Sequence, residues 1–303
     1  MRVLVTGASG FVGNAVVSEL LAQGHEVRAL VRRGSEKKLR ELERVTIITG
    51  DCLVHETLDE AAAGCDAVIH LVGIIREFPG RGITFEQVHV QATRNVVDTA
   101  KEAGVRRYLH MSALGARPDP ADPYHVTNFR ADRYVVNSGL AYTIFRPSVI
   151  YGPEDLSINL FARHIQRLAF FPVIGDGTYQ LQPVPVWTVA RAFALALELP
   201  RTENKIYEVG GPQPLTFNEV IDTIARVLGR RIRKIHQPVW CMRFAANLCG
   251  RFRWFPLTPG QLRMLIEGST CDPTAFYQDF RLTPEYFAEG LASYLKEQRE
   301  EKG

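Results

Sequence analysis

Arg2-Val3-Leu4-Val5-Thr6-Gly7-Ala8-Ser9-Gly10-Phe11-Val12-Gly13 runs from a β-branched strand straight into three glycines spaced three apart, and an apolar helical pattern follows through Leu21. A strand feeding a helix through such a turn makes a phosphate-binding site at the start of a fold. Gly7 takes the tight turn off the strand, Gly10 lets backbone amides close on a pyrophosphate, and Gly13 lets the helix pack closely on the sheet. Ala8, Ser9, Phe11 and Val12 supply the rest of the cradle, and the helix aims its free N–H groups and positive dipole end at the anion. Three glycines alone would say little, because many turns tolerate them; their place between strand and helix gives them meaning.

The same alternation continues. Apolar runs at Val3–Val5, Val27–Val31, Val45–Ile48, Ala67–Val72, Tyr108–Met111 and Tyr142–Phe145 read as strands. Helical patterns lie near Phe11–Gln23, Ser35–Glu43, Thr57–Ala63, Phe85–Ala103 and Tyr124–Ser138. Near-continuous apolar strands separated by helices imply a parallel sheet covered on both faces, an α/β doubly wound dinucleotide-binding (Rossmann) domain over 1–150. Ligands on such sheets sit at the carboxyl ends of strands. From 151 to 303 prolines multiply and the rhythm breaks, which predicts a smaller α/β lobe interleaved with the first domain. Thr216-Phe217-Asn218-Glu219, Thr258-Pro259-Gly260-Gln261 and Thr283-Pro284-Glu285 read as helix starts there.

With 303 residues, 46% of them hydrophobic, the chain can bury a large core. The strand follows Met1 at once and no apolar run approaches membrane-spanning length, so a cytoplasmic location is expected. The five cysteines show no zinc spacing and read as free thiols; no metal site is expected. A net charge of +3 with no recognition module gives no reason to expect nucleic acid.

The second strand ends Arg28-Ala29-Leu30-Val31-Arg32-Arg33-Gly34, without the acid that would accept hydrogen bonds from an adenine-ribose 2′-hydroxyl. Arg32 and Arg33 suit a 2′-phosphate instead, which favours NADP(H) over NAD(H). The competing reading is a pair of solvated surface arginines. Asp51, after the third strand and beside Cys52, either bonds the adenine edge or caps the next helix.

These motifs resemble the short-chain dehydrogenase/reductase superfamily in its extended and atypical branches. The resemblance rests on Thr6-Gly7-x-x-Gly10-x-x-Gly13, Gly50-Asp51, His70-Leu71-Val72-Gly73, Met111-Ser112-Ala113 and Arg146-Pro147-Ser148-Val149-Ile150-Tyr151-Gly152-Pro153. Within the superfamily the chain most resembles the NAD(P)-binding accessory subunit of respiratory complex I and its bacterial relatives. Gly104-Val105-Arg106-Arg107-Tyr108, Ser138-Gly139-Leu140, Gln182-Pro183-Val184 and Gly210-Gly211-Pro212 carry that likeness, which covers about residues 1–229. It implies that Leu71, Val72, Gly73, Met111, Tyr124, Arg146, Pro147, Ser148 and Val149 join the glycine turn, Arg32, Arg33, Asp51 and Cys52 around the cofactor.

It also implies a catalytic set. Active members use a tyrosine, a lysine one helical turn later and a serine; the matching positions here are Tyr124, Asn128 and Ser112. The lysine is missing. An amide can bond ribose hydroxyls but carries no charge to stabilise a phenolate, so the motif reads as degenerate. Tyr124 is equally readable as an aromatic that holds its helix to the sheet, and Ser112 as a local backbone partner. Arg76, Glu77 and Arg81 mark a lid, an anion clamp or an ordinary long loop. Lone histidines such as His70 and His89 are more often structural.

Between Asp222 and Glu267 there is no acidic residue, while Arg226, Arg230, Arg231, Arg233, Lys234, Arg243, Arg251, Arg253 and Arg263 interleave with Trp240, Phe244, Phe252, Trp254 and Phe255. Val239–Leu248 fits a short amphipathic helix, and the stretch from Arg230 to Arg263 suits an anionic membrane surface or an acidic protein subunit. The alternative is that these aromatics fill the smaller lobe. The expectation is an NADP(H)-binding protein that supports a respiratory or quinone-related assembly, with a peripheral place at the membrane. The competing expectation is an active NADP(H)-dependent reductase, isomerase or epimerase on a small carbonyl or sugar-like ligand.

Overall fold

The computed structural model describes residues 1–119, 122–250 and 257–295. Strands β1 (Arg2–Thr6), β2 (Glu26–Val31), β3 (Thr46–Thr49), β4 (Ala67–His70), β5 (Arg107–Met111) and β6 (Ala141–Pro147) form one sheet with Lys205–Val209. Its seven strands run in the order Lys205–Val209, β6, β5, β4, β1, β2, β3. Every pairing in it is parallel. The reason lies in the side chains: Val3, Val5, Ala29, Val68, Ile69, Leu109 and Ile144 are buried, as strands covered on both faces must be. Helices α1 (Phe11–Ala22), α2 (His55–Ala62), α3 (Ala92–Glu102) and α4 (Pro123–Val136) connect the first strands, and α1 packs against Val186–Ala196.

The chain divides into two compact units. One comprises Met1–Pro147, Val186–Val209 and Thr274–Leu282; the other comprises Ser148–Pro185, Gly210–Pro273 and the chain from Thr283. After residue 150 the chain returns twice to the sheet unit. Lys205–Val209 goes back because it pairs with β6, and Phe276 and Phe280 of Thr274–Phe280 pack on Phe145. The other unit uses short pairs, Ile150–Tyr151 with Val184–Pro185, Gln180–Leu181 with Leu215–Thr216, and Phe170–Ile174 with Arg233–Gln237.

Two helix expectations fail. Ser35–Glu43 is not a helix but two 3-10 turns, Glu36–Lys38 and Leu42–Arg44. Buried Leu39 is extended, and Asn14 of α1 ties down the Lys38 carbonyl and the Arg40 N–H, so side-chain bonds replace the helical ladder. The start at Thr283 also fails. The helix is Phe287–Leu295, and Glu289 accepts from the Tyr286 N–H at 3.3 Å. Its register follows Phe287 and Leu291, which are buried, with Phe287 set edge-on to Tyr151. The starts at Thr216 and Thr258 form as reciprocal capping boxes with Glu219 and Gln261.

Candidate functional site

The turn between β1 and α1 has the geometry an anion cradle needs. Gly7 takes a φ of 75°, closed to most side chains, and its carbonyl accepts from the Gly10 N–H at 3.0 Å. A Cβ on Gly13 would stand 2.1 Å from that same carbonyl oxygen, so its close approach is to the turn's backbone rather than to the sheet face. No side chain caps α1, which leaves its first N–H groups for a ligand.

These groups open into a cleft of about 680 Å³ at the carboxyl ends of β1 to β4, where the strand order reverses. Gly7, Ser9, Gly10, Asp51, Cys52, Leu71, Val72 and Gly73 line it, and so does Arg32. Ala8, Val12 and Gly13 are buried around the turn, and Phe11 is the first residue of α1. Arg33 is exposed and does not line the cleft; one arginine of the pair faces in. Lys38, Ser35 and Arg81 face it too. A helical reading of Ser35–Glu43 does not bring Lys38 and Ser35 to the cleft; with the 3-10 turn Glu36–Lys38 in its place, they line it together with Leu30 and Arg32. Asp51 does not cap α2, whose N-terminus has no side-chain cap; its carboxylate accepts from Leu53 N–H at 3.0 Å. Cys52 is buried, and burial pushes its thiol up to about 12. Phe78 and Ile83 form an antiparallel bridge that closes the loop carrying Arg81.

Beside the cleft strands lies a buried polar row. The register aligns Thr6, His70 and His110 on neighbouring strands, with Thr6 Oγ1 2.6 Å from His70 Nδ1 and the two imidazoles stacked at 5.5 Å. Burial lowers His70 to about 3 and holds His110 well below its usual range, so both are neutral near pH 7. His110 Nε2 is 3.7 Å from Asp132, and Arg146 clamps the same carboxylate at 2.7 and 2.8 Å. Burial raises Asp132 to about 6, against Arg146 and the Ser112 hydroxyl, which pull it down. Asp132 was not legible because it meets Arg146 across 14 residues, from a helix to a strand.

Tyr124 opens α4, whose Asp122 cap accepts from the Tyr124 and His125 N–H groups. Its ring meets His89 edge-on at 5.6 Å and Phe85 at the same distance. Burial pushes the phenol up to about 12. One turn on, buried Asn128 donates to the Tyr124 carbonyl at 2.8 Å and sits 3.3 Å from His89 Nδ1. His89, on a π-helical stretch Glu86–Gln91, also reaches Thr127 Oγ1 at 2.9 Å and the Ile74 carbonyl at 3.0 Å. Burial lowers it to about 4. Arg130 is paired with Glu86, and His125 with Asp122. Met111 and Pro147 end β5 and β6 in this unit, whereas Ser148 and Val149 belong to the other, where Ser148 Oγ donates to the Ser269 carbonyl and the Val149 carbonyl accepts from Val184 N–H.

A parallel sheet in this order, a glycine turn at φ 75° and a cleft at the reversal define a protein of the Rossmann dinucleotide-binding kind. Residues 7–165 match the model of the NAD(P)H-binding family, and the chain belongs to that family. It is 31% identical, over 77% of its length, to the mitochondrial NADH dehydrogenase [ubiquinone] 1 alpha subcomplex subunit 9 of Arabidopsis thaliana, and spans 60% of that protein. It is 25% identical to the 40 kDa subunit of NADH-ubiquinone oxidoreductase of Neurospora crassa, over 97% of this chain and 79% of that one. Photosystem II assembly factor Ycf39 of Synechocystis is 27% identical over 98% of this chain and 90% of that one. Among solved structures, UDP-glucose 4-epimerase of Thermotoga maritima shares the fold with a TM-score of 0.79, 20% identity and full coverage of both chains.

Among the described residues no helix is long and apolar enough to cross a membrane. Arg251, Phe252, Arg253, Trp254 and Phe255 of the basic stretch lie outside the described residues.

Proposed function

We propose that this chain holds NADP(H) as a retained cofactor and supports a membrane-associated respiratory or quinone-related assembly, with no turnover of its own. The observation that carries this reading is the surroundings of Tyr124. The position one turn on is buried Asn128, its amide committed to the Tyr124 carbonyl, and burial pushes the phenol up to about 12. Among the described residues no cation acts on this phenol, so the general acid/base role lacks electrostatic support. A bound nicotinamide would supply hydride chemistry; the residues around Tyr124 are arranged to hold a neutral phenol still. Relatives named as a subunit of NADH dehydrogenase and as a photosystem assembly factor fit a supporting role.

The preference for NADP(H) is supported by Arg32, Lys38 and Ser35 on one cleft, where two cations and a hydroxyl suit a 2′-phosphate. Partner binding is assigned to the basic stretch from Arg230 to Arg263, with an acidic subunit or an anionic membrane as its counterpart. A second reading, an active reductase or epimerase, draws on Tyr124 keeping its place beside His89 and on Ser112 beside Asp132.

The test is to denature the purified protein, identify the released dinucleotide, and challenge the native complex with carbonyls and quinones. Retained NADPH that is not oxidised supports the supporting role; substrate-dependent oxidation establishes the enzyme. Asn128→Lys sharpens the result: activity gained on generic carbonyls favours the first reading, and loss of a wild-type activity favours the second.

A further inference from the structure

The helix Val239–Cys249 faces the wrong way for a protein surrounded only by water. Its inner face, Val239, Met242 and Ala246, packs with Leu262, Leu265, Ile266 and Ile174 in a small core of its own. Its outer face carries Trp240, Phe244 and Leu248, spaced four apart on one side, and these are 72%, 69% and 58% exposed. Isolated exposed apolar residues are ordinary, but three large ones on successive turns make a continuous stripe.

Charge identifies what the stripe meets. It lies in the acid-free stretch between Asp222 and Glu267, where the cations outnumber the acids nine to none. Arg243 sits between Trp240 and Phe244 in sequence and is exposed. Arg243 and Arg263 also line one groove of about 270 Å³ between this helix and Pro259–Glu267, enough for an anionic headgroup. A convex apolar stripe, a tryptophan at its start and guanidinium groups beside it match the boundary between lipid headgroups and acyl chains. An acidic protein groove would satisfy the arginines, but it asks for no row of exposed Trp, Phe and Leu.

We propose that Trp240, Phe244 and Leu248 insert into the interface of an anionic lipid bilayer while Arg243 and the groove it shares with Arg263 hold lipid phosphates. This inference rests on the reading of the chain as a supporting protein at a membrane, and it names the surface by which the chain docks. The dinucleotide cleft takes no part in it.

The experiment is flotation of the full-length protein with protein-free vesicles of phosphatidylcholine, with and without phosphatidylglycerol, at low and high salt. Wild type is expected to float with the anionic vesicles, less so at high salt, with a blue shift in tryptophan emission. Trp240→Ser/Phe244→Ser/Leu248→Ser should lower binding by at least about a hundredfold, and Arg243→Ala by about fivefold. Both variants should keep wild-type circular dichroism and dinucleotide content, which separates lost docking from lost folding. Equal flotation of the triple variant overturns the proposal. So does wild type that ignores protein-free vesicles of either composition but binds native membranes in a protease-sensitive way, which assigns the stripe to a protein partner. Because cofactor retention is scored separately, failure here leaves the dinucleotide reading intact, and turnover there leaves this surface intact.

Discussion

The sheet unit buries titratable groups along with apolar ones, whereas among the described residues the exposed aromatics Phe170, Trp240, Phe244 and Tyr286 all belong to the other unit. In the first, helices cover both faces of seven parallel strands, and even His70, His110 and Asp132 are sealed inside. In the second, the sheets have two strands each, and Leu156, Phe170, Ile235, Trp240, Phe244 and Leu248 are exposed. The difference follows from area: a wide covered sheet buries whatever lies on it, while narrow pairs and short helices leave faces without a partner. One unit sets a cleft at the ends of a wide, covered sheet, and the other presents exposed aromatic surface.

That contrast predicts a falling series of effects. Gly13→Val strikes backbone in the sheet unit, with a Cβ placed 2.1 Å from the Gly7 oxygen. It should cost about 3 kcal/mol or more and abolish dinucleotide retention, read by thermal unfolding and cofactor content. A mild effect would mean that the turn is not the rigid cradle described.

Acid should come next. His89 is lowered from 6.5 to about 4 and His70 to about 3, so the unfolded chain takes up protons first as pH falls. Stability from these groups is present above pH 6.5 and is lost on the way down, to about 4 for His89 and about 3 for His70, the shifts being worth at most roughly 3 and 5 kcal/mol. Asp132, raised to about 6, acts in the opposite sense: its contribution is full below about 4 and fades as pH rises to 6. These two histidines, with His110 also held well below its usual range by burial, outweigh the one carboxyl and leave net acid lability. His89→Gln should flatten the slope of denaturant-measured stability against pH, and an unchanged slope would assign the lability elsewhere.

Arg32→Ala is expected to weaken NADPH by about 10- to 100-fold with little change for NADH, the loss of a charge-assisted contact. Equal weakening of both in calorimetric titration would remove the 2′-phosphate assignment. Smallest of all, Trp240→Ser should move stability by no more than about 0.5 kcal/mol, since the ring is 72% exposed. A large loss there would mean that the ring supports the second unit's own core.

Much of the sheet unit was legible because its signals are local. Six apolar runs, the glycine spacing and the helix between them each speak within a dozen residues, and strand bounds in the structure differ from the expected ones by one or two positions. Ser35–Glu43 misled for an instructive reason: its helical composition is overruled by Asn14, which bonds the backbone at Lys38 and Arg40 from another helix. Tyr124 and Asn128 are singled out by the family resemblance, but that the amide turns to the Tyr124 carbonyl and toward His89 depends on α4 lying against Glu86–Gln91.

By itself the sequence determined the parallel α/β architecture, the glycine turn and the acid-free basic stretch, because periodicity, glycine φ freedom and charge are properties of neighbouring residues. Only the tertiary structure decided that Lys38 joins Arg32, that Asp132 locks Arg146 under His110, that the sheet takes back Lys205–Val209, and that Trp240, Phe244 and Leu248 point outward. Those outcomes depend on strand register and on which helix face finds a partner, and both are set by residues far apart in the chain.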